Sequence, residues 1–443
     1  MNVVMFTPGI SVSAIGRVAW LLTDVLLREG HSVTVVRCES VRHLDAPAHP
    51  FGGTLLRWDD AATVHAATMQ ADIVLYHIGD NFEFHEGAVQ WLQDVPGVIC
   101  LHDYFLVHLF LGWAEARPER ARAVLRQHYG EGADDAFFHE VASGRRIEGT
   151  WRTMPMTEWL CGMAVGVITH SYWDIERVKR ACAGPIIVTP LAYAVRGSER
   201  IPPPSPDTMV RDTINVLTVG HVNPNKRVSS VIRAIGASPA LRRRVSYHIV
   251  GLCSDAMTIE LSALAREYGV RLCIRGELED DALTVAMHKA DVVTCLRYPS
   301  LEAASASAIH AMRMGKAIVV TDVGFYAELP DDCVVKVNAD NELEELQLAL
   351  ERLASEPEWR RGIAGRAGEW SNRTFTTHGY VASILAMAPL QARAMPLFLA
   401  ATAMAKTLAG WGGSAEQLRG SLDALAILGS QPGPSVTGAE VRT

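Results

Sequence analysis

Short apolar runs of three to six residues recur down this chain, each followed by a loop of glycine and small polar residues and then by a helical stretch. Runs this short and this uniformly apolar read as strands buried on both faces, which is what a parallel sheet covered by helices requires. In the first half they fall at 3–6, 32–36, 73–76, 97–101, 166–169 and 186–188. The opening segment gives strand, a loop with Gly9 and Gly16, an amphipathic helix, Gly30-His31 and a second strand, a βαβ unit. The second half restarts the pattern at 214–219, 245–250, 270–274, 292–296 and 317–320, with helices expected from about 229 and at 281–289, 306–314 and 342–369. The fold class expected is α/β, two Rossmann-like doubly wound domains facing a cleft at the C-terminal edges of their strands.

Four prolines between Ser198 and Asp207 forbid regular structure and mark the junction. The expected division is a first domain over 1–200, a second over 201–385, a helical extension over 386–430 with helices at 393–408 and 414–428, and a disordered tail over 431–443. Charged residues make up 20% and apolar ones 49%, values of a folded chain, while a net charge of −8 speaks against nucleic acid as the main partner. The eight cysteines are scattered without a CxxC pair and read as buried hydrophobes in a reducing compartment. With a first segment that begins as a strand instead of a secretion signal, this makes the cytoplasm the expected location. The stretch 394–405 is interrupted by Pro396 and Thr402 and ends at Lys406, so no transmembrane helix is expected.

The sharpest motif runs Val219-Gly220-His221-Val222-Asn223-Pro224-Asn225-Lys226-Arg227. It leaves a strand, turns, and presents Asn, Lys and Arg just before a helix, where free N–H groups and a mobile ammonium suit a diphosphate. A solvated basic loop accounts for the same residues about as well. A second segment, Arg297-Tyr298-Pro299-Ser300-Leu301-Glu302, leads through Ala303, Ala304 and Ser305 into a helix carrying His310. There a carboxylate can take sugar hydroxyls while small residues let a ligand approach; ordinary helix entry is the plain alternative.

In this order, with Gly276-Glu277 between them and Thr321 to Pro330 after, these segments resemble the donor domain of glycosyltransferase family 4, from about 214 to 337. Weaker likeness extends to Thr7-Pro8-Gly9, Leu101-His102-Asp103 and Thr169-His170-Ser171. The resemblance implies a GT-B fold, a nucleotide-sugar donor used as co-substrate without cofactor or metal, and transfer with retention. It also implies that Lys226 grips the diphosphate, Glu302 holds the transferred sugar and His102 touches that sugar from across the cleft, oriented by Asp103. Gly220, His221, Asn225, Gly276, Glu277, Ser305 and His310 complete the expected donor side. Gly9, Gly16, His77, Asn81 and Asp103 form the expected acceptor side.

The chain departs from the family twice. His310 stands where a second glutamate commonly binds ribose, and His221 where an arginine commonly follows the glycine, for which Arg227 is the expected substitute. The loop 76–85 gathers His77, Asp80, Asn81 and His85, in no standard metal spacing, and is expected to shape the acceptor side. The acceptor expected is a glycan or a lipid-linked molecule, with peripheral contact to the inner face of the membrane. Arg117, Arg120, Arg122, Arg126 and 242–244 suit anionic lipid heads, although solvated helix faces explain them more simply. Two other functions stay open: a nucleotide-sugar 2-epimerase, which would need no acceptor, and a catalytically degenerate binding subunit, which would not turn over.

Overall fold

The structure, a computed structural model, describes residues 1–194 and 213–411. The proline-rich junction, the expected helix 414–428 and the tail 431–443 lie outside the described residues. The first domain holds strands β1 (Asn2–Thr7), β2 (Ser32–Arg37), β3 (Thr54–Arg57), β4 (Ile73–Ile78), β5 (Val98–Leu101), β6 (Gly166–Thr169) and β7 (Ile186–Val188). They form one sheet in the order β3-β2-β1-β4-β5-β6-β7, every pair parallel. The second domain holds β8 (Ile214–Val219), β9 (Val245–Val250), β10 (Arg271–Ile274), β11 (Val292–Cys295), β12 (Ala317–Thr321) and β13 (Val335–Val337), ordered β10-β9-β8-β11-β12-β13 and again parallel. Two doubly wound Rossmann-like domains result, and each strand order reverses next to its first strand, the point where such sheets open toward ligands.

Burial follows the apolar runs. β4, β5, β6, β11 and β12 are buried at every position, so each sheet is covered on both faces. β3 has three exposed residues out of four, and for that reason its sequence carries no buried-strand signature.

The last helix, Thr377–Gly410, is continuous through Pro389 and Pro396. Tyr380, Val381, Ile384, Met387 and Ala388 are buried with Met5, Leu22, Cys100 and Ile168, so the chain returns from the second domain to cover the first sheet. Burial of a side chain of this size is worth about 1.5–3 kcal/mol, which fixes the return firmly. The helix expected at 393–408 is the end of this longer one, and each proline removes one main-chain donor without ending it. Within Pro357–Leu408 the chain is long and apolar enough, by length and composition alone, to cross a membrane.

Candidate functional site

The C-terminal ends of the two sheets meet through main chain. Ala303 N–H donates to the His102 carbonyl (3.0 Å), and the N–H groups of Tyr104 and Phe105 both donate to the Leu301 carbonyl (2.9 and 3.0 Å). Asp103 and Glu302 thus face each other in an antiparallel bridge between domains. The sequence motifs around His102 and Glu302 meet here. Arg17 and Asp280 form a second contact between domains, at 3.3 Å.

On the second-domain side, Gly220 adopts φ of 102°, and a Cβ there would lie 2.4 Å from the Lys226 ammonium, so only glycine lets that lysine fold back. Lys226 is 9% exposed and its Nζ donates to the Val219 carbonyl (3.0 Å). Burial, followed by the nearby Arg297 charge, pushes the ammonium down to about 7. Arg297, itself buried, donates from Nε to Glu302 Oε1 (2.9 Å), and the Tyr326 hydroxyl donates to the same oxygen (2.7 Å). A cation, a carboxylate and a phenol are therefore locked together beside Lys226, at the start of the helix Ala306–Arg313, whose first turn is capped by Ser305 Oγ on Ala308 N–H (3.4 Å). Arg297 and Tyr326 are functional candidates that sequence reasoning passed over. Both lie inside quoted motifs, but nothing in their spacing tells that they converge on Glu302.

Arg227, the expected substitute on the phosphates, pairs with buried Glu342, donating from Nε to Oε1 and Oε2 (2.9 and 3.1 Å). His221 and Glu277 are exposed, and Gly276, two residues past β10, adopts φ of 68°. Buried oxygens of Asn223 and Asn225 have no partner, so this loop keeps acceptors in reserve. His310 lies buried against Tyr193 (5.7 Å between rings) with Nε2 unpartnered. Burial, then the Arg17 charge, pushes its imidazole down to about 4, which keeps it neutral.

On the first-domain side three histidines stand at the C-terminal ends of β4, β5 and β6. His77 Nδ1 is 2.9 Å from His102 Nε2, His102 Nδ1 is 3.2 Å from His170 Nε2, and His170 Nδ1 is 3.3 Å from the Thr189 carbonyl. A carbonyl only accepts, so His170 Nδ1 carries the proton, and the same tautomer propagates back to His77. The row ends at His77 Nε2, a buried acceptor without a partner. Burial holds His77 down to about 3 and His170 down to about 4. Both ring nitrogens of His102 are thereby engaged inside the protein, and its imidazole is not free to meet a sugar as expected. Nor does Asp103 orient it: Asp103 Oδ2 accepts from Asp80 N–H (2.9 Å), and burial, with Asp80 and Glu302 nearby, pushes the carboxyl up to about 7.

Gly9 N–H donates to Glu39 (2.9 Å), which pairs with buried Arg37. At Gly16 a Cβ would lie 2.1 Å from the Pro8 carbonyl, so the first helix needs glycine to start this close to β1. Asn81 is exposed, while His85 accepts from Gly79 N–H (3.1 Å), so the expected acceptor loop is dispersed among separate bonds. Among the described residues no group of three or more His, Cys, Asp or Glu is arranged to hold a metal ion. A cavity of about 540 Å³ lies beside the interdomain bridge, lined by Tyr104, Trp151, Arg152, Trp173 and Asp174 of the first domain and Val323 of the second.

Residues 209–370 match the family model described as Glycosyl transferases group 1. No curated protein matches the chain. Among solved structures, sucrose-phosphate synthase from Thermosynechococcus elongatus is similar over 87% of this chain and 97% of its own, with a TM-score of 0.61 at 15% identity. HepE of Anabaena, solved with UDP and glucose, is similar over 87% and 99%, with a TM-score of 0.60 at 14% identity. WaaG, a glycosyltransferase involved in lipopolysaccharide biosynthesis, is similar over 86% and 98%, with a TM-score of 0.57 at 16% identity. The likeness to these structures shows the fold, two Rossmann-like domains of the GT-B type, and residues 209–370 of the second domain match the group 1 model.

Proposed function

We propose that the protein is a retaining glycosyltransferase of the hexosyl-transferring kind, which moves a sugar from a nucleotide-sugar donor to a hydroxyl of a glycan or lipid-linked acceptor in cell-surface polysaccharide or glycolipid synthesis. The observation that carries this reading is the cluster of Lys226, Arg297, Glu302 and Tyr326 at the opening of the second sheet, within the segment that matches the family model. Lys226 supplies positive charge to the leaving diphosphate when the donor draws it out of the strand end, and the helix that begins after Ser305 adds oriented N–H groups. Glu302 Oε1 already accepts two bonds beside a buried guanidinium, which makes it a poor nucleophile and a good fixed acceptor for sugar hydroxyls. That supports a route in which the departing diphosphate takes the acceptor proton, with retention at the anomeric carbon and no metal cofactor. Eight free cysteines support a reducing cytoplasmic location, with the acceptor reached at the inner face of the membrane.

A catalytically silent nucleotide-binding subunit is the second reading, favoured by the engagement of both His102 ring nitrogens. The test is a thermal-shift series with UDP, GDP, ADP, CDP and dTDP, with and without EDTA, beginning with UDP because HepE was solved with it. Nucleotide at a hundred times its Kd stabilises by about 2.7 kcal/mol. A shift that survives EDTA, followed by a product whose anomeric configuration by NMR matches the donor's, supports the transferase. Binding without turnover supports the silent subunit, and an inverted product removes the retaining assignment.

A further inference from the structure

We infer that the cavity of about 540 Å³ beside the interdomain bridge is a binding site for a sugar ring, so that the acceptor is a saccharide recognised at its pyranose. As the acceptor subsite it rests on the transferase reading; as a saccharide site it rests on its own lining. The volume falls within the roughly 300–1,000 Å³ of small-molecule sites. Tyr104, Trp151 and Trp173 line it. Tyr104 and Trp173 meet edge to face (6.0 Å between rings), and Trp151 meets Tyr298 of the second domain in the same way (6.1 Å). A pyranose carries a face of C–H groups, and the electron-rich face of an aromatic ring suits that face.

Polar groups select a sugar over an acyl chain. Asp174 Oδ2 accepts from the Tyr104 hydroxyl and from Arg177 Nε (3.3 Å), while among the described residues Asp174 Oδ1 accepts no bond. Trp173 Nε1 and Ser300 Oγ are buried without partners. Their residues meet at Gly324, next to Val323 of the lining, where a Cβ would lie 3.7 Å from Trp173 Cδ2 and closer still to Ser300 Oγ. An acyl chain leaves such groups unsatisfied, whereas ring hydroxyls both donate and accept. The walls are held in place within the protein. Arg177 donates to the carbonyls of Arg152 (2.7 Å) and Thr153 (3.3 Å) and to Glu158 (2.7 Å), which fixes the turn carrying Trp151, and Arg152 lies over the Trp151 ring (4.4 Å). Both walls run into the donor groups. Tyr104 N–H donates to the carbonyl of Leu301, next to Glu302, and Tyr298 N–H donates to the carbonyl of Asn225, next to Lys226 (each 2.9 Å). The cavity thus adjoins the carboxylate and the ammonium assigned to the donor.

The test is saturation-transfer NMR on the full chain, with and without UDP, using methyl α-glucoside, methyl α-galactoside and maltose, and cyclohexanol as a ring without the hydroxyl pattern. The expected result is transfer to the ring C–H groups of at least one sugar and little to cyclohexanol. The sugar Kd should rise about two- to tenfold in Trp151→Ala and in Asp174→Asn. Thermal shifts by nucleoside diphosphates should be the same in parent and variants, which checks that the variants fold. No transfer to any of the three sugars overturns the inference, as do equal transfer to cyclohexanol and variants that bind sugar like the parent. Sugar binding that falls in Glu302→Gln and not in Trp151→Ala assigns the sugar to the donor side and overturns it as well. A nucleotide shift lost in Trp151→Ala at an unchanged melting point gives the cavity to the nucleobase, with the same consequence. Sugar binding with the expected losses but without turnover supports the saccharide site and removes the transferase reading. Turnover whose acceptor KM is the same in parent and both variants keeps the transferase reading and overturns this inference.

Discussion

Ala303 N–H donates to the His102 carbonyl at 3.0 Å, and this one bond ties the start of the donor-side helix of the second domain to the sheet edge of the first. It fixes the closed arrangement together with the two bonds onto Leu301. Ala303→Pro removes the donor. The expected outcome is a more open particle, read as a larger radius of gyration in X-ray scattering, while nucleotide added to the parent leaves the radius small. An unchanged radius in the variant would show that the remaining contacts, the two bonds onto Leu301 among them, are enough to keep the domains together.

Lys226 gives a proton signature to donor binding. Its ammonium is pushed down to about 7 by burial and Arg297, and a diphosphate favours the charged form. At a pH above about 7 the free protein holds mainly neutral amine, so nucleotide binding takes up a proton, approaching one per site near pH 8.5. Calorimetry in buffers of different ionisation enthalpy measures this uptake. Lys226→Met should abolish it; equal heats in all buffers for the parent would mean that Lys226 does not meet the phosphates.

The histidine row sets the acid limit of stability. His77 and His170 titrate near 3 and 4 in the fold against about 6.5 unfolded, so between these values the unfolded chain binds more protons. Their contribution is whole above pH 6.5 and is lost as pH falls toward 4, at up to about 1.4 kcal/mol per pH unit for each. Urea unfolding from pH 7 to 4.5 should show a steep loss. His77→Leu should cost about 1 kcal/mol at pH 7 through the bond to His102, yet flatten the acid slope. An identical slope in parent and variant would contradict the neutral row.

Arg227 and Glu342 separate folding from binding. Arg227→Ala leaves Glu342 buried and unpaired, which should lower stability by about 2–4 kcal/mol, because breaking a buried ion pair strands its partner. Donor affinity should not change. A weaker donor Kd at unchanged melting temperature would restore Arg227 to the phosphate site.

The two sheets were legible in the sequence because their central strands are buried throughout and mostly apolar, a signal that survives without knowledge of partners. β3 and the continuity of the last helix were not. The first is an exposed edge strand, and the second was expected only over 393–408, short of its start at Thr377. At the site, Lys226, Glu302 and Ser305 were singled out from their place before helices, and Glu302 lies close enough to Lys226 to act on its charge. Pairings across long separations escaped, such as Arg227 with Glu342, since no local pattern encodes them. The histidine row could have been found: His77, His102 and His170 each end an apolar run, and parallel order alone makes them neighbours.

The return of the last helix to the first sheet also has a mechanical meaning. A chain that passes once between two bodies leaves a swivel, free to twist about any axis. Here the polypeptide passes over between β7 and β8 and comes back through the helix that begins at Thr377, so the bodies share two attachments. The relative motion left to them is rotation about the line joining those attachments, a door's motion, which opens and shuts the cleft without shearing one sheet edge past the other.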